Sequence, residues 1–290
     1  MTRSSGVVMP QYAGHETVSK MYEKDADTSP VTGRIVGNIR VLPGVFSPEL
    51  GNVRDIQVYL PPSYRDSARH YPVVYMHDGQ NLFDATTSFA GEWAVDDTLE
   101  RVGPEGVEAI VVAIPNMGDA RTDEYSPFHD ARRGGGRGDA YLEFIVRTLK
   151  PLVDEHFRTR RERSHTGIMG SSLGGLISLY GFFREPAVFG FAGVMSPALW
   201  FGDRAIFDVV GRASGWTGKV YLDIGTAEGR VQVRNARLMG RLLRRTASRP
   251  RLNLMYVEDR GAGHHEHAWA GRFERAIRFL LPRRVVDVNW

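Results

Sequence analysis

Apolar residues along the chain form short continuous runs that are separated by longer amphipathic stretches. The run at 109–114, Ala-Ile-Val-Val-Ala-Ile, has no alternating polar face, which is typical of a strand buried on both faces of a parallel sheet. On this basis eight strands are predicted, at 33–42, 54–60, 72–76, 109–114, 167–169, 191–195, 220–224 and 253–257.

Helices are predicted between and after these strands. The segment 141–156 is the clearest, because its leucine, isoleucine and valine residues recur along one stripe of a helix. The other helical segments are 174–183, 231–244 and 269–281. The alternation of strands and helices predicts an α/β protein with a mostly parallel central sheet of about eight strands and helices on both faces. Catalytic groups then belong in the loops at the carboxyl ends of the strands.

Residues 1–30 are polar and show no clear periodicity, so we expect an N-terminal tail or extension there and a single domain over 31–290. No apolar run approaches the roughly 20 residues that a membrane span needs. The first nine residues also lack the apolar core of a secretion signal. These features predict a cytoplasmic protein without a membrane partner, although a secreted chain with its signal removed would look the same.

The amino-acid composition excludes several kinds of functional site. There is no Cys, which excludes a disulfide framework, a Cys-based zinc site and a thiol nucleophile. The net charge is +3, and basic residues cluster at 158–163 and 241–251 without interleaved aromatic residues or a nucleic-acid motif. We therefore expect no nucleic-acid partner. The oligomeric state is left open by the sequence.

A candidate nucleophile lies at Gly170-Ser171-Ser172-Leu173-Gly174, which matches the pattern Gly-x-Ser-x-Gly. The pattern alone is weak, because a glycine-rich turn without catalytic function has the same form. Here it follows an apolar strand and leads directly into an apolar helix, the setting that a nucleophile elbow requires. Glycine on either side avoids a collision of side chains with the neighbouring helix and strand. The segment predicts an α/β-hydrolase fold with Ser172 as the nucleophile.

A serine hydroxyl needs a histidine within hydrogen-bond reach, and a carboxylate to orient that histidine. In this fold the order along the chain is serine, acid, histidine. Three histidines follow Ser172, namely His264, His265 and His267, all after the last predicted strand. Their spacing, with one glutamate, matches no recognised zinc pattern, so neither a metal nor another cofactor is expected.

The acid belongs at the end of the preceding strand, where there are two candidates. Asp223 lies inside the predicted strand, so its side chain is expected to be buried or paired structurally. Glu228 lies in the loop beyond, from which a side chain can reach back to the histidine. We favour Glu228, with Asp223 as the alternative.

Two backbone N–H groups are needed to stabilise the oxyanion. One is the amide of Leu173, immediately after the nucleophile. The second is expected in the loop after the third strand, where Gly79 permits a tight turn and the Gln80 amide is our choice of donor. His77 and Asp78 precede the nucleophile and are interpreted as braces of this loop.

Several motifs together resemble the esterase family that includes esterase D, feruloyl and acetyl-xylan esterases, enterochelin esterases and the mycolyltransferases. The resemblance extends from about residue 58 to 281 and is carried by the segments 59–64 (Tyr-Leu-Pro-Pro-Ser-Tyr), 77–83 (His-Asp-Gly-Gln-Asn-Leu-Phe), 91–93 (Gly-Glu-Trp), 121–127 (Arg-Thr-Asp-Glu-Tyr-Ser-Pro), 152–159 (Leu-Val-Asp-Glu-His-Phe-Arg-Thr), 170–175, 196–197 (Ser-Pro), 225–228 and 264–269.

That resemblance implies Ser172 as nucleophile and His264, five residues before Trp269, as base. It implies Glu228 as acid, at a position where many relatives carry Asp, so the acid departs from the family pattern. His265 also departs from it, because relatives often have Asn there. The first departure does not prevent the chemistry, since either carboxylate can orient an imidazole, whereas the second bears on which ring is the base.

Five further side chains are candidates for substrate binding. Four of them, Trp93, Tyr125, Trp200 and Trp269, come from segments expected near the site and would form an aromatic-lined pocket, although each also fits core packing. The fifth, Arg121, fits a substrate carboxylate or sugar hydroxyls, and it fits equally well a structural ion pair with Asp123 or Glu124.

The sequence therefore predicts a serine carboxylic ester hydrolase that acts through an acyl-enzyme on small acyl esters, possibly of sugars or aromatic acids. The alternatives are a siderophore trilactone esterase of the enterochelin type, an acyltransferase of the mycolyltransferase kind, and a binding protein that retains the fold without catalysis. The sequence alone does not decide which ester is the substrate.

Overall fold

The apolar runs of the sequence form the strands of one mixed sheet. The computed structural model describes residues 22–24, 35–88, 91–249 and 253–282. In this part of the chain the sheet has nine strands in the order β1-β2-β3-β5-β4-β6-β7-β8-β9. Their bounds are β1 Tyr22–Lys24, β2 Asn38–Ser47, β3 Asn52–Leu60, β4 Val73–His77, β5 Ile110–Ile114, β6 Thr166–Ser171, β7 Phe191–Met195, β8 Lys219–Gly225 and β9 Leu254–Asp259.

The sheet is parallel over two thirds of its width. Strands β5, β4, β6, β7, β8 and β9 pair in parallel, while β1, β2 and β3 form an antiparallel edge that joins β5. The predicted α/β-hydrolase fold with a mostly parallel sheet is confirmed. Strand β1 falls within the segment expected to be an extension, the rest of which up to residue 30 lies outside the described residues.

Strand β2 differs most from its prediction. It was expected at 33–42, of which 33 and 34 lie outside the described residues, and it continues to Ser47. The register against β3 shifts between Leu42 and Val45, where Pro43 and Gly44 interrupt the apolar pattern. A bulge of this kind lets a strand pass through residues that usually end one.

The helices cover the predicted segments and add short ones. Their bounds are α1 Val95–Val102, α2 Arg121–Glu124, α3 Gly138–Glu143, α4 Lys150–His156, α5 Leu173–Arg184, α6 Ile206–Arg212, α7 Arg230–Thr246 and α8 Glu266–Leu280. A π-helical stretch, Phe144–Leu149, joins α3 to α4, so the predicted helix at 141–156 is one continuous helical segment. Among the described helices, none is long and apolar enough to cross a bilayer.

Two apolar layers cover the two faces of the sheet. Because side chains alternate along a strand, Val73 and Tyr75 of β4 pack in the layer with α3 to α7, while Val74 and Met76 pack in the layer with α1 and α8. This arrangement explains why the central strands are apolar at every position. It also leaves the carboxyl edge of the parallel strands to the connecting loops, and the candidate site lies there.

Candidate active site

Ser172 occupies a sharp turn between β6 and α5. Its backbone has φ 56° and ψ −119°, a conformation that costs a non-glycine residue about 1–3 kcal/mol. The turn is held by three hydrogen bonds: Ser172 N donates to Met195 O at 3.1 Å, and Ser172 O accepts from Leu176 N at 3.0 Å and from Ala198 N at 2.9 Å. The strained serine is thus tied to both the helix and the neighbouring strand.

Glycines flank this turn because little space remains for side chains. A Cβ on Gly170 would lie 2.9 Å from His77 Cδ2 and 3.0 Å from the carbonyl carbon of Gly174. A Cβ on Gly174 would lie 3.3 Å from His77 Cβ. The steric reason expected for the Gly-x-Ser-x-Gly pattern is therefore visible in the packing.

His264 and Glu228 meet at the carboxyl edge of the sheet. His264 Nδ1 lies 2.7 Å from Glu228 Oε2. An ionised carboxylate only accepts hydrogen bonds, so Nδ1 carries the proton and donates it. The other ring nitrogen, Nε2, is then left with its lone pair. The His264 side chain is 44% exposed, whereas that of Glu228 is 1% exposed, so the ring faces the cleft and its partner is buried behind it.

Glu228 is also held from the protein side. Its Oε1 accepts from Ser196 Oγ at 2.5 Å and from the backbone N of Gly225 at 2.7 Å. Burial alone would raise the pKa of Glu228, but the hydrogen bonds from His264, Ser196 and Gly225 hold that pKa below its ordinary value. Glu228 is therefore a carboxylate at neutral pH.

Asp223, the alternative acid, faces another group. Its Oδ1 accepts from Ser196 N at 3.0 Å, and its Oδ2 lies 3.1 Å from Arg272 Nε. The Asp223 side chain is fully buried, and burial raises its pKa to about 6. Asp223 thus forms the buried structural pair that was expected of it, and Glu228 is the carboxylate that the structure brings to a histidine.

Ser196 connects these groups, and the sequence analysis assigned it no role. Its hydroxyl donates to Glu228 and accepts from Trp269 Nε1 at 3.0 Å and from Arg272 Nη2 at 2.8 Å. One donor and two lone pairs are all that a serine hydroxyl has, so Ser196 is fully used. Its φ of 41° places it in the left-handed region as well. The Ser-Pro pair at 196–197 was a family signal, but its function depends on groups 32 to 76 residues away.

The other two histidines near the base have different partners. His265 caps α8, where its Nδ1 accepts from Ala268 N at 3.3 Å. The rings of His265 and His267 stack with centroids 6.4 Å apart. Of the three histidines considered as the base, His264 is therefore the one that the structure pairs with a carboxylate.

The two expected oxyanion donors lie in the turns that follow the neighbouring strands β6 and β4. Leu173 is the first residue of α5, where backbone N–H groups have no partner within the helix. Gln80 lies in a single turn of 3₁₀ helix, Gly79–Asn81, that follows β4. A Cβ on Gly79 would lie 2.6 Å from the carbonyl carbon of Ala113, so only glycine lets this turn approach β5.

A bidentate ion pair fixes the start of the Gln80 turn. Arg121 donates through Nε to Asp78 Oδ1 at 2.7 Å and through Nη2 to Asp78 Oδ2 at 2.8 Å. Asn116 adds two bonds, from Nδ2 to Asp78 Oδ1 at 2.7 Å and from its backbone N to Gln80 Oε1 at 3.2 Å. The partner of Arg121 is therefore Asp78 and neither Asp123 nor Glu124, and Asp78 braces the loop as expected.

His77 lies under this turn and is fully buried. Its Nδ1 is 2.8 Å from the hydroxyl of Tyr141, and burial lowers the pKa of His77 to about 3. It is therefore neutral at neutral pH. The hydroxyl of Tyr125 accepts from Asp78 N at 3.0 Å. Tyr125 has no exposed surface in this structure and supports the loop from within.

The remaining aromatic candidates divide by burial. Trp93 and Trp269 are 3% and 5% exposed and pack against each other with ring centroids 5.8 Å apart. The His264 ring meets the Trp269 ring edge to face at 5.0 Å, so Trp269 supports the base. Trp200 is 38% exposed, with the Arg133 guanidinium 5.0 Å above its ring. Trp200 is thus the most exposed of the four candidate aromatic residues.

The strained serine turn, the ordered loops and the mostly parallel sheet define a hydrolase of the α/β-hydrolase class. Residues 47–280 match the family model described as Putative esterase, and the chain belongs to that family. The protein is a serine ester hydrolase.

Several known proteins are similar to this chain. The chain is 28% identical over 253 residues to an uncharacterized protein, YbbA, of Bacillus subtilis (strain 168), a match that covers 83% of this chain and 97% of that protein. It is 26% identical over 174 residues to the Iron(III) salmochelin esterase of Escherichia coli O6:H1, covering 59% of this chain and 36% of that one. The structure of the siderophore hydrolase EstB from Aspergillus nidulans superposes with a TM-score of 0.65 at 20% identity, covering 90% and 100% of the two chains.

Proposed function

We propose that the protein hydrolyses carboxylic esters through an acyl-enzyme, with Ser172 as nucleophile, His264 as general base and Glu228 as the acid that orients it. The observation that carries this proposal is the 2.7 Å contact between His264 Nδ1 and Glu228 Oε2. It leaves His264 Nε2 unprotonated at the edge of the sheet that also carries the strained Ser172.

In the first step, Ser172 Oγ attacks the ester carbonyl and its proton passes to His264 Nε2. The imidazolium that forms is stabilised by the carboxylate of Glu228, which stays ionised because its hydrogen bonds keep its pKa low. His264 then gives the proton to the leaving alcohol, and Ser172 carries the acyl group. Water, activated by the same ring, attacks the acyl-enzyme and releases the acid.

Negative charge develops on the carbonyl oxygen in both steps. We assign its stabilisation to the backbone N–H groups of Leu173 and Gln80. Loss of one such donor typically costs about 3 kcal/mol of transition-state stabilisation. The ion pair of Arg121 with Asp78 fixes the turn that presents Gln80, so this donor is in place before the substrate arrives.

Small acyl esters of sugars or aromatic acids are the proposed substrate class. Trp200 supports it, because its exposed ring offers a face for a sugar or an aromatic acyl group. A siderophore ester is the second candidate. It is favoured by the names of two similar proteins, the Iron(III) salmochelin esterase and the siderophore hydrolase EstB.

Hydrolysis of p-nitrophenyl acetate by the wild type and by Ser172→Ala and His264→Ala tests the mechanism. We expect kcat to fall by about 10⁴ or more in either variant, because the serine and the histidine act as one unit. An active-site phosphonate should label the wild type on Ser172 and leave Ser172→Ala unlabelled. Full activity in Ser172→Ala would refute the proposal.

The acyl acceptor and the substrate class need separate measurements. Added glycerol or sugar should leave the acyl group with water; partition mainly to the alcohol would identify an acyltransferase instead. Relative kcat/KM on feruloyl, acetyl-sugar and catecholate trilactone esters decides between the two substrate classes, since each predicts a different best substrate.

A further inference from the structure

A basic groove begins beside the candidate site and continues between α6 and α7. It is formed by two cavities, one of about 340 Å³ next to Trp200 and one of about 450 Å³ farther along α7. Arg204 lines both cavities, so they adjoin. We call this depression the α6–α7 groove; its cationic side chains are Arg204, Arg234, Arg241 and Arg245.

The α7 wall of the groove is one stripe of the helix. Arg234, Arg241 and Arg245 lie seven and four positions apart, and Leu238 and Leu242 lie between them on the same side. The arginines are exposed and the leucines half-buried. The stripe thus has an apolar floor with cations along it. Phe207 of α6 completes the floor opposite.

These cations are not neutralised by their surroundings. Within the described part of the chain, the four groove arginines make no ion pair. By contrast, the neighbouring Arg237 of α7, which does not line the groove, pairs with Glu258 at 2.6 Å. One carboxylate, Asp203, lines the groove near Trp200. The groove therefore carries an excess of positive charge, which favours an anionic ligand.

The backbone under the groove is strained, and this observation is independent of the charges. Gly202, Asp203 and Arg204 have φ of 54°, 52° and 67°, three successive residues in the left-handed region. Two of them are not glycine, and such conformations persist where the surrounding structure holds them and cluster at ligand sites. The guanidinium of Arg204 lies 4.6 Å from the centroid of the Phe207 ring.

The groove begins at segments of the chain that adjoin the candidate active site. Trp200 follows the segment whose Ala198 N donates to Ser172 O, and α7 begins two residues after Glu228. From Arg234 to Arg245 the helix adds about 16 Å, at about 1.5 Å per residue. A ligand that fills the groove is therefore an elongated molecule, one end of which lies near Ser172.

We propose that the α6–α7 groove binds an acidic oligosaccharide chain that carries the ester to be cleaved at Ser172; this inference rests on the proposed function. Arginine guanidinium groups bind carboxylates through bidentate hydrogen bonds, and sugar rings pack their C–H faces on aromatic and aliphatic side chains. The two cavities, of about 340 and 450 Å³, have room for a few sugar rings in a row. A uronic-acid chain matches both the charge and the floor.

Binding of pentagalacturonic acid to the Ser172→Ala variant, measured by titration calorimetry, tests this proposal without ester hydrolysis. We expect binding that Arg241→Gln weakens about tenfold, because one charge-assisted contact is removed. Arg244→Gln is the matched control. It removes the same charge from an exposed neighbour on α7 that does not line the groove, and it should bind as the parent does.

Three results would overturn the proposal: no binding of pentagalacturonic acid, equal weakening by Arg244→Gln, or equally tight binding of neutral xylopentaose. Equal affinity for a single-stranded oligothymidylate of similar charge would also overturn it, because the surface would then bind any polyanion. Hydrolysis of p-nitrophenyl acetate by the wild type is measured separately. Failure of that reaction contradicts the esterase mechanism, while failure of binding contradicts the groove alone.

Discussion

The two sides of the Ser172 turn are each built on a buried or half-buried arginine, but they use it differently. On the acid–base side, Arg272 lies within 3.1 Å of Asp223, 3.7 Å of Asp259 and 3.8 Å of Glu228, and it shares Ser196 with Trp269. On the oxyanion side, Arg121 makes one bidentate pair with Asp78.

The difference follows from what each side presents to a substrate. On the acid–base side, the imidazole of His264 is the proposed base and must change its protonation state; its carboxylate is held by several donors while the ring is 44% exposed. On the oxyanion side, the proposed donor is the backbone N–H of Gln80, which must only stay in place. The bidentate ion pair of Arg121 with Asp78 is sufficient for that purpose, with the buried side chains of His77 and Tyr125 packed beneath the loop. The comparison predicts different kinetic effects on the two sides.

The largest effect is expected at Glu228. In Glu228→Gln, the amide NH₂ can donate to His264 Nδ1 and favours the tautomer with the proton on Nε2, which cannot accept from Ser172. We expect kcat for p-nitrophenyl acetate to fall about 10³–10⁴-fold with an unchanged fold.

Asp223→Asn is the companion variant for that measurement. It removes the buried partner of Arg272, so we expect a lower midpoint of urea unfolding and a smaller loss of kcat than in Glu228→Gln. The reverse ranking, with Asp223→Asn inactive but stable, would make Asp223 the acid.

On the oxyanion side, Arg121→Lys keeps the charge but loses the two-pronged contact with Asp78. A displaced Gln80 amide weakens transition-state binding, so we expect kcat to fall about 10–100-fold with KM nearly unchanged. Steady-state kinetics on p-nitrophenyl acetate separate the two constants. A rise in KM alone would show instead that Arg121 binds the substrate directly.

Ser196 offers a finer test of the acid–base side. Both Ser196→Ala and Ser196→Gly remove the hydroxyl that bonds to Glu228, and we expect kcat to fall about tenfold in each. Glycine adopts the φ of 41° without strain, so Ser196→Gly shows the effect of losing the hydroxyl without an effect of backbone strain. Wild-type kcat in Ser196→Gly would show that the hydroxyl has no positioning role.

The smallest effect concerns stability and pH. Burial raises the pKa of Glu228, but its hydrogen bonds lower that pKa by a larger amount. The folded-state pKa therefore lies below the ordinary value of 4.5. The stability that the ionised Glu228 contributes is therefore full above pH 4.5 and is lost as the pH falls through the folded-state pKa. Urea unfolding of the wild type and Glu228→Gln should differ most at pH 7 and converge toward pH 3; a gap that widens on acidification would contradict this sign.

Much of the fold could be predicted because it depends on local patterns. Continuous apolar runs identified the parallel strands, and the strand–turn–helix context identified the Ser172 turn. The sequence missed α1, Val95–Val102, whose three apolar positions are too few for a clear periodicity and whose N-cap, Ala94, is left-handed. It also ended β2 early, because a bulge at Pro43 and Gly44 has the sequence of a turn.

The sequence predicted which candidate groups lie close together in the site, and it predicted less of what holds them there. Glu228 was favoured over Asp223 from position alone, and the structure pairs Glu228 with His264. The partner of Arg121 is 43 residues away, and Ser196 depends on three residues from two later segments. Such pairs form only when the sheet brings distant loops together, and a single sequence carries no record of that contact.

The strained turn at Ser172 has a practical consequence, because the chain contains no cysteine. The substitution Ser172→Cys gives the protein a single sulfhydryl, at a position where a helix starts from a positive φ. A fluorophore or a spin label that reacts with sulfhydryl groups would attach at this residue, because the chain has no other sulfhydryl. The absence of cysteine, which excludes thiol chemistry in the native protein, thus allows spectroscopy with a single label placed in the candidate active site.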